Sequence, residues 1–137
     1  MSPSPLINID VDDLQRAVSF YTAAMGLKVG RKLGPSVVEL LGHGSPIYLL
    51  QKAAGSAAGP ATREARRYER HWTPVHLDFA VPNLDEGVRR AVAAGATLEV
   101  PAIAHAWGRI AELADPFGHG FCLIEFSSRG YDAIATS

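Results

Sequence analysis

Two stretches of the chain alternate apolar and polar residues and then switch to a helical period. From Leu6 to Val11, Ile7, Ile9 and Val11 fall on one strand face and Leu6, Asn8 and Asp10 on the other. Leu14, Ala17, Val18 and Tyr21 then make an apolar stripe at helical spacing, with Asp12 and Gln15 in capping-box position before it and Gly26 closing it. The same order returns later in the chain. Leu77, Phe79 and Val81 oppose His76, Asp78 and Ala80; Asn83 and Glu86 make a second capping-box pattern; Leu84, Val88, Ala91 and Val92 form the stripe; Gly95 ends it. The copies align residue by residue, Val11-Asp12-Asp13-Leu14 with Val81-Pro82-Asn83-Leu84, Val18 with Val88, Ala23-Ala24 with Ala93-Ala94, and Leu6 with His76. A repeated unit of this size predicts two similar modules with a cleft between them.

After each predicted helix come three short strands separated by turn residues. In the first module they cover 28–32, 36–41 and 46–51, with Gly42-His43-Gly44 as a turn. In the second they cover 97–100, 108–114 and 120–126, with Asp115-Pro116-Phe117-Gly118 as the turn. The expected fold is therefore α+β: one domain over 1–137, in which two βαβββ modules, about 5–51 and 75–127, form a cup-shaped, partly open mixed sheet with the helices outside. A connector over 52–74 and a tail over 128–137 complete it. The connector opens with Ala53-Ala54-Gly55-Ser56-Ala57-Ala58-Gly59-Pro60, a mobile linker by composition. Its second half interleaves Arg63, Arg66, Arg67 and Arg70 with Glu64 and Glu69, which reads as a solvated helical turn over 62–71, either a plain charged connector or a lid over the cleft.

Composition narrows the function classes. Of 137 residues, 47% are hydrophobic and 20% charged, an ordinary globular balance for one domain with a real core. Thirteen Lys and Arg against fourteen Asp and Glu leave no basic footprint for nucleic acid or an anionic membrane, so the expected partner is a small organic molecule. No apolar run approaches the roughly twenty residues that cross a bilayer. The start, Met1-Ser2-Pro3-Ser4-Pro5, has no signal-peptide pattern, and a cytoplasmic location is expected. A single cysteine, Cys122, excludes an internal disulfide framework and a Cys-rich zinc site. Phosphate loop, nucleophile elbow and zinc-protease helix are all missing.

Val11-Asp12-Asp13-Leu14-x-x-Ala17-Val18-x-Phe20-Tyr21, Gly26-Leu27, Trp107-Gly108-Arg109 and Asp115-Pro116-Phe117-Gly118-His119 together resemble the vicinal oxygen chelate superfamily, which includes glyoxalase I, bleomycin-resistance proteins, fosfomycin-resistance enzymes and extradiol dioxygenases. The resemblance runs from Leu6 to Phe126. It implies a glyoxalase-like domain, and many relatives form homodimers, sometimes by exchanging modules, which a connector of this length permits. In metal-dependent members each module gives two ligands to a divalent cation, one at the start of its first strand and one, often glutamate, on its last. Carried onto this chain, those positions are Leu6 and His76, then Tyr48 and Cys122. Only His76 keeps the usual ligand type, so the resemblance with these departures argues against the standard site and for no resident cofactor.

The expected ligand-binding set is Tyr48, His76, Asp78, Trp107, Arg109 and Cys122. His76 is the one candidate for acid-base catalysis and, where a metal is held, for its ligand; Asp78 and Asp10, on matching strand faces, extend a nonstandard cation site. Trp107 and Arg109 share a strand face by alternation, and the family fold turns it toward the cavity, giving a stacking surface and a fork for a carboxylate or phosphate. Cys122, between Phe121 and Leu123, has no neighbouring cation to lower its pKa and reads as a small hydrophobe. His43, His105 and His119 fall in turns or loops. Two functions follow. One is a metal-independent small-molecule binder acting by sequestration or by acid-base help from His76; the other is a metal-dependent lyase, isomerase or dioxygenase with a displaced ligand set around His76. A noncatalytic dimerisation module is the third reading.

Overall fold

In the computed structural model, which describes residues 3–137, both alternating stretches are strands and both striped stretches are helices. Met1 and Ser2, part of the N-terminal stretch read above, lie outside the described residues. The chain divides into two compact units with the break between Glu69 and Arg70. The first holds β1 (Ile7–Val11), α1 (Leu14–Met25), β2 (Lys28–Lys32), β3 (Val37–Leu41) and β4 (Ile47–Gln51). The second holds β5 (Leu77–Ala80), α2 (Leu84–Ala94), β6 (Thr97–His105), β7 (Gly108–Ala114) and β8 (Gly120–Phe126), then a short 3₁₀ turn, Gly130–Ala133. Each unit is a four-stranded mixed sheet, ordered β1-β4-β3-β2 and β5-β8-β7-β6, in which the first strand runs parallel to the last and the other pairings are antiparallel. The fold is α+β, built from two βαβββ units. Among the described residues no helix is long and apolar enough to cross a membrane.

One face of each sheet carries its helix and the core. Ala17, Phe20, Tyr21, Ala24 and Met25 of α1 are buried, as are Val11, Val38, Leu40, Ile47 and Leu49 of its sheet. In the second unit Leu84 and Ala91 of α2 are buried, with Phe79, Ala111, Leu113, Phe121 and Leu123 of the strands. Each fully buried aliphatic or aromatic side chain stabilises by about 1.5–3 kcal/mol relative to exposure. Last strand and helix are tied alike in both units: Gln51 Oε1 accepts from Leu14 N (3.0 Å), and Glu125 Oε1 accepts from Leu84 N (2.9 Å).

Several local expectations need correction. The N-cap of α1 is Asp13, which accepts from Arg16 N at 3.0 Å, one residue later than the capping-box pattern placed it. Asn83 caps α2 as expected. The strand predicted over 97–100 continues to His105, carried past Pro101 by register irregularities on either side of Val100. No helical turn forms over 62–71. The connector instead folds back on itself through a bridge between Ala57 and Ala65, with Gly55 N donating to Arg66 O and Arg66 N to Ser56 O, both at 2.8 Å. Arg66 explains why. Its guanidinium donates to Asp10 Oδ2 (2.8 Å), Ser56 Oγ (3.2 Å), and the carbonyls of Ala57 and Ala58, and its side chain is only 16% exposed. A stretch read as solvated charge is thus stapled by one arginine, each of whose three guanidinium nitrogens is engaged.

Candidate functional site

Alternation decides which side chains leave the helix-packed face. On β8, Leu123 lies beside Gly87 of α2 and Glu125 reaches the α2 N-terminus, so Cys122, one residue before Leu123, points to the opposite face. The register puts Asp78 beside Cys122 on one side and Glu112 on the other. His76, two residues before Asp78, lies just before β5 begins. The donor atoms of His76, Asp78 and Cys122 all lie within 4.8 Å of one another. His76 Nδ1 is 3.1 Å from Asp78 Oδ1. The Cys122 thiol hydrogen-bonds Asp78, and burial first, then the Asp78 charge, pushes its pKa up to about 12. A thiol so placed is a donor, not a nucleophile.

The cluster borders a pocket of about 140 Å³ within the second unit. Arg70, Trp72, Glu99 and Glu112 line it together with His76 and Cys122. Arg70 closes one side, its Nε and Nη2 held by the two Glu99 carboxylate oxygens at 2.7 and 2.9 Å. The pairing raises the Arg70 pKa and lowers that of Glu99, the hydrogen bond being the larger cause in each. Trp72 is 78% exposed and presents a free aromatic surface. A space of this size takes one polar end of an organic molecule or a few waters, since drug-sized sites run to roughly 300–1,000 Å³. A larger, open concavity in the first unit, about 800 Å³ between α1, β2 and β3, is lined mainly by Leu14, Val18, Val29, Pro35 and Val38 and holds no carboxylate, histidine or thiol.

Of the expected ligand-binding set, the structure brings together His76, Asp78 and Cys122. Trp107 lies in the turn between β6 and β7, stacked on His105 at 4.9 Å with the rings nearly parallel, and tilted against Phe126 and Tyr131. Arg109 donates to Asp85 (3.3 Å) and Glu125 (3.3 Å), on the sheet face that carries α2. The residue of β7 facing the pocket is Glu112, cross-strand partner of Cys122, and alternation from Arg109 counted against that register would have found it. Arg70, Trp72 and Glu99 had no sequence signal beyond the charged connector and a strand edge. Asp10, placed with Asp78 as a possible cation ligand, is ion-paired to Arg66 in the first unit.

Tyr48 belongs to a different cluster in the first unit. Its hydroxyl donates to Glu39 Oε2 (2.9 Å), and Arg31 grips both oxygens of the same carboxylate through Nε (3.0 Å) and Nη2 (2.6 Å). The Arg31 hydrogen bonds hold the Glu39 carboxyl down at about 2 although the residue is only 5% exposed. Asn8, Tyr48 and Glu39 occupy the register positions that Asp78, Cys122 and Glu112 occupy in the second unit.

The chain matches the glyoxalase-like domain over residues 6–124. It is 32% identical over 131 residues to the anthracycline biosynthesis protein DnrV of Streptomyces peucetius, covering 94% of this chain and 43% of that one, so it spans less than half the length of this relative. A glyoxalase/bleomycin resistance protein/dioxygenase family enzyme from Burkholderia phytofirmans superimposes with a TM-score of 0.72 at 24% identity, over 89% of this chain and 97% of the other. The fosfomycin-resistance protein FosX of Listeria monocytogenes, solved with Mn(II) and dihydroxypropylphosphonic acid, gives 0.69 at 20% identity over 94% of each chain. These likenesses show the fold. A hard cation such as Mn(II) does not fit the donors at the positions carried over from metal-dependent relatives: Leu6 has no lone pair, the Tyr48 hydroxyl is committed to Glu39, and Cys122 offers sulfur where an oxygen is wanted. The chain belongs to the glyoxalase-like domain family of the vicinal oxygen chelate superfamily.

Proposed function

We propose that this protein binds a small organic molecule, seating its polar end in the second unit's pocket and its flat apolar part against Trp72, and that it acts by sequestration rather than by the hard-cation chemistry of metal-dependent relatives. The observation that carries this reading is the pairing of a polar wall, Arg70, His76, Glu99 and Glu112, with an exposed tryptophan lining the same small pocket. Polar groups that converge in a concavity beside an aromatic surface fix orientation while the ring supplies contact area. Asp78 holds the His76 ring through Nδ1, which leaves Nε2 to meet the ligand. The relative concerned with anthracycline biosynthesis and the fosfomycin-resistance fold neighbour suggest the first probes.

The test is tryptophan fluorescence in a Trp107→Phe background, which leaves Trp72 as reporter, titrated with an anthracycline and with fosfomycin. Native mass spectrometry of the freshly purified protein searches in parallel for a copurifying compound. Saturable quenching that weakens about tenfold in His76→Ala supports the reading. Absence of saturable binding together with an empty native mass spectrum would sink it.

A further inference from the structure

We infer that the concavity of about 800 Å³ in the first unit is a binding site for an amphipathic organic anion, a carboxylate or sulfonate on a hydrophobic body, with Lys32 as the residue that selects the anion. It belongs to a different unit from the pocket used by the proposed function, and neither site depends on the other.

The shape is held by the fold. Leu14 and Val18 of α1 form one wall, Val29 of β2 and Val38 of β3 the floor, and Pro35 in the connecting turn the far end. The turn is pinned, with Leu33 N donating to Val37 O at 2.9 Å and Gln51 N to Ser36 O at 2.8 Å. The α1 wall is tied to β4 where Leu14 N donates to Gln51 Oε1 (3.0 Å). A concavity so braced is formed before its ligand arrives, and its volume falls in the small-molecule range of roughly 300–1,000 Å³. Val29 is 43% exposed, and Leu14 and Val18 are half-buried, so apolar surface stays wetted that a hydrophobic occupant would cover.

The charge comes from a bulge. Val29 pairs with Leu40 and Lys32 with Val38, so β2 carries one residue more than β3 between the two pairs. Strict alternation from Val29 would turn Arg31 toward α1 and Lys32 away from it. The extra residue exchanges them: Arg31 goes to Glu39 on the opposite face, and Lys32 joins Val29 and Val38 at the concavity. Gly30 makes room for this, because a Cβ there would stand 2.6 Å from Glu39 Oε1. Lys32 has no carboxylate partner among the described residues, and the lining holds no acidic side chain. One ammonium beside an apolar floor, without an internal counter-ion, matches a ligand that brings its own negative charge.

The experiment titrates the full chain with octanoate, octan-1-ol and octylammonium and follows the ¹³C-labelled methyls of Leu14, Val18, Val29 and Val38 by NMR. Saturable shifts at these methyls are expected, with octanoate about fivefold tighter than octan-1-ol and octylammonium the weakest. Decanoate, two methylenes longer, binds about tenfold more tightly than octanoate. Lys32→Met, at an exposed position and therefore neutral for folding, brings octanoate down to the level of octan-1-ol and leaves octan-1-ol unchanged. Val29→Ser, also exposed, weakens both, and the methyl spectrum itself reports that each variant is folded. Absence of saturable shifts, equal affinity for the three probes, or octanoate binding indifferent to Lys32→Met overturns the inference. Shifts at the same methyls that grow with protein concentration alone, with a dimer in sedimentation, overturn it in favour of a second copy covering the groove.

Discussion

Asp78 and Cys122 face one another across the parallel pairing of β5 and β8, and the carboxylate accepts a hydrogen bond from the thiol. With the thiol pKa near 12, roughly one sulfur in 10,000 is ionised at pH 8, against about a quarter for a free cysteine. Alkylation by iodoacetamide at pH 8, followed by mass spectrometry, is therefore expected to be slower than in the urea-unfolded chain by two orders of magnitude or more. Removing the negative charge with Asp78→Asn lowers the thiol pKa and speeds labelling several-fold while the sheet stays intact. Equal rates in the two proteins would refute a role for Asp78.

Glu39 makes the first unit sensitive to acid. Folding lowers its pKa from 4.5 to about 2, chiefly through the Arg31 hydrogen bonds, so its contribution is present above 4.5 and is lost as pH falls toward 2. Thermal melts of the wild type are expected to show an acid-induced loss in that window. In Arg31→Met the protein is less stable at pH 7, and the loss between 4.5 and 2 flattens or reverses, because a buried carboxyl without its guanidinium favours protonation.

The Asp-Pro-Phe-Gly turn depends on Asp115. Its Oδ1 accepts from Phe117 N (2.8 Å) and His119 N (2.9 Å), and Phe117 is fully buried behind the turn. Asp115→Ala leaves two inward amides without their acceptor and is expected to cost about 1–3 kcal/mol, read as a lowered urea midpoint with an unchanged slope.

Gly108 opens β7 at φ 146°, where an added Cβ would overlap the carbonyl oxygen of Glu125 on β8. Neither the strained backbone nor the neighbouring backbone can give way cheaply. Gly108→Ala is expected to destabilise by about 2 kcal/mol or more. Gly120→Ala, whose new methyl meets only the movable end of Arg70, is expected to fold normally and to loosen the Arg70–Glu99 pair instead.

The architecture was legible because it rests on local periodicities that occur twice: Ile7, Ile9 and Val11 for a strand, Leu84, Val88 and Ala91 for a helix, and Asp115 to Gly118 for a turn. The copies support each other, which no single motif does. The site was legible only in part. His76, Asp78 and Cys122 follow from repeat alignment and alternation, but Glu112 needs the β7–β8 register, which depends on where the Asp115 turn closes. Trp107 and Arg109 stand near a strand start where the count of alternation is easily displaced, and the Gly108 conformation sends Trp107 into the turn. The connector eluded composition because one residue, Arg66, converts an Ala/Gly/Ser stretch into ordered backbone through contacts far away in sequence.

The guanidinium of Arg31 is an internal counter-ion. In the first unit Glu39 is gripped by Arg31 through hydrogen bonds, whereas at the matching position of the second unit Glu112 lines a pocket beside a thiol and an imidazole and meets Arg70 through charge alone. Duplication thus leaves one copy electrostatically saturated and the other receptive to a cation or donor from outside. Exchanging the two roles takes two substitutions, one that removes Arg31 and one that brings a guanidinium into hydrogen-bond reach of Glu112.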